Sequence, residues 1–134
     1  MAKKTWVYAP KKTKTKISED VKERVKKRAD QFIESVLKPE YIKPPPRDTE
    51  SNYIVDIYSK WYRQYFYFCA TYHCPGDNAI SPTFEINFAR LEYNPGGSYI
   101  LSYMRHNNKW FALNGNISLE KAFREIEDGP YFIP

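Results

Sequence analysis

Glycine is scarce in this chain, with five in 134 residues, and cysteine, histidine and methionine occur only twice each. With so little glycine there is no phosphate-cradling loop and no dinucleotide fingerprint, and the nucleophile elbow of the serine hydrolases is missing too. Two cysteines are too few for a disulfide scaffold, and neither lies in a CxxC pair. No run of about 18 apolar residues and no signal-like apolar N-terminus is present. The expectation is a soluble, cytoplasmic, unprocessed protein with reduced thiols, no membrane segment and no cofactor.

Acid is absent from one region. Residues 1–16, MAKKTWVYAPKKTKTK, hold six lysines (Lys3, Lys4, Lys11, Lys12, Lys14 and Lys16) and no Asp or Glu. The formal charge of +5 comes from 21 basic and 16 acidic residues, so the remainder has 15 basic residues against 16 acidic ones, a net of −1. All the positive excess is in the leader. A domain that gripped duplex DNA through its own surface would be basic in its body, and this one is not. Residues 1–16 read as a flexible basic leader that makes at most a weak nucleic-acid contact, and residues 17–134 as a single α+β domain.

What is abundant is aromatic: 12 Tyr, 8 Phe and 3 Trp. From Ser18, a fair N-cap, Val21, Val25, Ala29, Phe32, Ile33, Val36 and Leu37 recur at three- and four-residue spacing. Glu19 and Asp20 suit the positive end of a helix, which is predicted to end near Pro39. Pro44, Pro45 and Pro46 then form an extended connector.

From Asn52 to Leu113 the period is two. Tyr53, Val55 and Ile57 alternate with Ile54, Asp56 and Tyr58, and Ser59-Lys60 reads as a turn into WYRQYFYFCATYHC, Trp61 to Cys74. Strand parity divides that stretch: Tyr62, Phe66, Phe68, Ala70 and Tyr72 form a core-like face, and Trp61, Arg63, Tyr65, Tyr67, Cys69, Thr71 and His73 the other. Phe84, Ile86 and Phe88 give way in phase to Leu91 and Tyr93, which predicts a bulge near Ala89. Turns at Asn94–Gly97 and His106–Asn108 divide the rest, and Ser118 caps a second helix carrying Leu119, Ala122, Phe123 and Ile126. Short connections join antiparallel neighbours. The predicted fold is helix, antiparallel meander of four or five strands, helix: a two-layer sandwich with both helices on one sheet face.

The candidate ligand-binding residues are Arg63, Tyr65 and Tyr67 on the other face, Tyr103, and the hairpin residues Arg105, His106, Lys109 and Trp110. Cations beside aromatic plates suit a phosphate, a carboxylate or an unstacked base. The alternative is a small hydrolase or metal-dependent enzyme around Cys69, His73, Cys74 and His106. Against it, Cys69 and His73 point to one side of a strand and Cys74 to the other.

Pro44-Pro45-Pro46 after a first helix, Ser81-Pro82 before a strand, Met104-Arg105 with Lys109-Trp110 in a hairpin, and the ending SLEKAFREIEDGPYF together resemble a family of small bacterial proteins, cyanobacterial ones above all, catalogued as a domain of unknown function. The resemblance spans roughly residues 20–134. It implies a single compact bacterial domain and assigns no catalytic residue. The residues themselves favour a non-enzymatic binding or adaptor module for a protein or, weakly, a nucleic-acid strand.

Overall fold

A computed structural model describes residues 17–47, 51–77 and 79–134; the lysine leader lies outside them. Helix α1 (Glu19–Phe32) starts where the cap chemistry places it, with Ser18 Oγ accepting from the Val21 amide at 3.2 Å. Val25, Ala29 and Phe32 form its buried stripe.

The helix does not stop before Pro39. A π-helical turn, Ile33–Leu37, leads into α2 (Lys38–Tyr41), with Pro39 in the first turn of α2. The Lys38 amide donates to Ile33 O, five residues back. A proline within a helix cannot donate and crowds the carbonyl four residues earlier, here that of Ser35. The wider turn just upstream relaxes that crowding and lets the rod continue. It ends at Ile42, whose extended ψ of 107° leads into the prolines.

Five strands follow: β1 (Tyr53–Tyr62), β2 (Tyr65–His73), β3 (Thr83–Asn94), β4 (Ser98–Met104) and β5 (Trp110–Ile117). Their order in the sheet is β1-β2-β3-β4-β5, and every pairing is antiparallel. The expected bulge is present, since Phe68 pairs with Ala89 but Cys69 with Asn87, leaving Phe88 as the extra residue. The Asn94–Gly97 turn needs left-handed backbone, and Gly96 and Gly97 supply it with φ of 99° and 96°.

The turn expected at Ser59-Lys60 is not there. Both residues continue β1, opposite Phe68 and Tyr67, and the chain reverses at Arg63-Gln64. Ser59 looks like a turn residue but has a buried role. Its hydroxyl donates to Asp30 Oδ1 at 2.8 Å, and Lys26 Nζ donates to both Ser59 O (2.9 Å) and Ser59 Oγ (3.1 Å). Beside it, Trp61 Nε1 donates to Lys22 O at 3.1 Å. These bonds pin α1 across β1. The shift also exchanges two residues: Trp61, expected on the other face, packs on the helix side with its ring 5.0 Å from that of Phe66, and Tyr62, expected in the core, ends β1 opposite Tyr65 and is exposed.

Helix α3 (Leu119–Asp128) is capped by Ser118 Oγ, which accepts from the Lys121 amide, and a short 3-10 turn, Pro130–Phe132, follows. Both helices lie on the side of the sheet that carries Phe66, Phe68 and Ala70, all fully buried. At the junction Phe32 and Phe123 stack at 4.8 Å, and Phe68 meets both edge-on. The architecture is the α+β sandwich predicted, with an open sheet. No helix among the described residues is long and apolar enough to cross a membrane.

Candidate functional site

The sheet side away from the helices is built by residues of one parity. Register places Lys60 of β1, Tyr67 of β2, Arg90 of β3 and Ser102 of β4 in one row across the strands. Tyr62 and Tyr65 pair in the next row, and Met104 pairs with Trp110 on the other flank. Small residues make room here: Ser102 is buried, and its β5 partner is Ala112. Trp110 can therefore lean across β4, and its ring centroid reaches 5.8 Å from that of Tyr67.

Arg90 is the centre of this face. Its guanidinium carbon lies 4.3 Å from the Tyr65 ring centroid and 4.9 Å from that of Trp110, with Tyr67 beside Tyr65 at 6.2 Å. Cation–π contact of this kind holds a guanidinium flat without neutralising it. Among the described residues no carboxylate pairs with Arg90. Its Nε is buried and has no hydrogen-bond partner. A buried donor left unpaired is costly, and an anion meeting the outer guanidinium nitrogens would compensate that cost through charge-assisted bonds.

The sequence-derived residues divide. Tyr65, Tyr67 and Trp110 come together around Arg90, which sequence reasoning did not single out. Tyr103 belongs to the helix side, stacked on Tyr131 at 4.5 Å and edge-on to Phe132. Arg105 shares that parity and lies 4.8 Å over the Phe111 ring. Arg105 and Trp110 therefore face opposite ways. His106 and Lys109 are exposed in the turn, which closes through Arg105 N–H to Lys109 O and Asn108 N–H to Arg105 O, both 2.9 Å. Arg63 stands at the other end of the sheet, in the β1–β2 turn, 5.1 Å over Tyr62.

Cys69 shares the parity of Tyr67 yet is fully buried, and burial raises its thiol pKa above the ordinary value. Tyr58, its partner across β1–β2, is also raised, first by burial and then by the hydroxyl's bond to Glu85 Oε1. Such a thiol is a poor nucleophile. His73 packs against Tyr53 at 5.3 Å. His106 follows β4, and β3 separates β4 from β2, so about 10 Å of sheet lies between His106 and Cys69. Among the described residues no three His, Cys, Asp or Glu side chains are grouped as a metal site requires.

The fold and this face define a two-layer α+β domain whose helices seal one side of a meander and leave the other as an aromatic, cation-centred surface. The chain belongs to the family described as Domain of unknown function (DUF3024), whose sequence model matches residues 17–134. No curated protein and no solved structure matches it.

Proposed function

We propose that residues 17–134 form a single binding or adaptor module without catalytic activity, whose ligand face is the open side of the sheet. The observation that carries this is Arg90, held between Tyr65 and Trp110 with a buried Nε that has neither a hydrogen-bond partner nor a carboxylate among the described residues. A cation framed by rings matches a ligand that has an anionic group beside a flat, stackable one. Arg63 at one end of the sheet and Lys109 in the turn at the other add charge at the rim, while Arg105 turns to the helix side. The six lysines of the leader extend the attraction to anionic partners.

Two-dimensional NMR of the full chain tests the reading, with AMP and inorganic phosphate as probes. The Arg90 Nε–H and Trp110 indole N–H signals are expected to move together with AMP, and phosphate alone to move mainly Arg90. Arg90→Met abolishes the response. If neither probe moves either signal at millimolar concentration, the open face is not a site for such a ligand.

A further inference from the structure

We infer that the ligand of the open face is a single-stranded nucleic acid, a step that rests on the binding-module reading. The row Lys60, Tyr67, Arg90 alternates cation, ring and cation across three adjacent strands. Strands lie about 4.8 Å apart, so the Cα atoms of Lys60 and Arg90 stand roughly 10 Å from each other, with that of Tyr67 between them. A base lying on Tyr67 would have one phosphate directed to Lys60 and the next to Arg90. Among the described residues Lys60, like Arg90, has no carboxylate partner. Tyr65 and Trp110 widen the stacking platform on either side.

Single-strand binders combine these two elements, aromatic plates that accept any base and cations that track the backbone. An acidic peptide would use the cations and leave three rings without a role. Duplex DNA is a poor fit, because it hides its base faces and the body of the chain lacks excess positive charge. Three acids among the described residues share the parity of this face, and Asp56 is paired with Lys38. Glu85 is engaged by Tyr58, and Glu92 sits opposite Tyr65, where a strand's phosphates would feel it.

Fluorescence anisotropy with labelled oligo-U and oligo-dT of about eight nucleotides provides the test, within the site sizes such proteins use. The full chain is compared with a full-length variant whose six leader lysines are changed to Gln. In that background Lys60→Gln and Arg90→Met are each expected to reduce the slope of log K against log salt by about 0.7, the contribution of one phosphate contact on a single strand. Tyr67→Leu weakens binding about tenfold or more at unchanged slope, through lost stacking. Glu92→Gln tightens binding severalfold at low salt and loses that gain at high salt, a result that a damaged fold cannot imitate.

Unchanged slopes, or affinity that disappears entirely with the leader lysines, overturn the inference. If the oligonucleotides fail while AMP still moves the Arg90 and Trp110 signals, the nucleic-acid step is wrong and the module reading stands. Arg90-dependent binding of an acidic peptide in their place leads to the same conclusion. If AMP and phosphate move nothing, the module reading falls as well.

Discussion

Phe68 and Tyr67 are neighbours on β2, and replacing each with Ala is expected to give very different results. Phe68 is fully buried, and its ring lies between 5.6 and 6.4 Å from those of Phe66, Phe88, Phe123 and Phe32. Truncating it removes a ring from the junction of the sheet with both helices, and such Phe→Ala changes cost about 3–5 kcal/mol. Tyr67 faces the other way, half-buried, and among the described residues its ring contacts are to Tyr65 and Trp110. Each such pair adds on the order of 1 kcal/mol, less what an exposed site regains from water. Urea titration followed by far-UV circular dichroism should therefore separate the variants by about 2 kcal/mol or more at similar m values. In thermal melts Phe68→Ala should fall by roughly 10–20 °C, since a chain of this size loses about 3–5 °C per kcal/mol. Total stabilities of domains run about 5–15 kcal/mol, so that loss is visible without unfolding everything. Equal losses, or a larger loss for Tyr67→Ala, would refute the assignment of the helices to the Phe68 side.

Arg63 sits at φ 58°, where a side chain costs about 1–2 kcal/mol and glycine little, so Arg63→Gly should be neutral or stabilising by up to about 1 kcal/mol. Arg63→Val should destabilise in the same urea titration; the opposite order would mean that this turn is not left-handed. Ser59→Ala removes the hydroxyl shared by Lys26 and Asp30 and should lower stability by about 1–2 kcal/mol, with chemical denaturation as the check. In native protein, iodoacetamide should modify Cys74 first and Cys69 only as the chain opens, which peptide mass mapping reads directly. The raised pKa values of Cys69 and Tyr58 mean that the native state holds those protons more tightly than the unfolded chain. Stability should be full below the ordinary thiol value of 9.0 and decline as pH rises beyond it, which urea midpoints between pH 8 and about 11 can follow.

Local chemistry made much of the fold legible. Ser18 and Ser118 cap the helices that their hydroxyls announce, and the glycines at 96 and 97 fix a turn that no other residue adopts easily. The change of phase after Phe88 marks the bulge. What escaped depends on partners distant in sequence. Ser59 reads as a turn residue until Lys26 and Asp30 are brought to it, and Arg63-Gln64 has none of the residues that announce a reversal. Pro39 stops a regular helix, and only the π turn before it removes the conflict. Arg90 carries no motif at all. Its one signal is parity: once the bulge adds Phe88 to the count, Arg90 falls opposite Tyr67. The same counting applied to the β4–β5 hairpin, where Met104 rather than Arg105 pairs with Trp110, would have separated Arg105 from the tryptophan.

The Phe32–Phe123 stack joins two segments that are nearly the whole domain apart in sequence, whereas among the described residues each strand pairs with its neighbours in the chain. Short-range pairings close small loops and form early, while a contact across such a span must wait for the sheet that supports it. The stack therefore works kinetically as a latch. It closes late in folding and opens early in unfolding, so it governs how long the native state persists more than how quickly that state is reached.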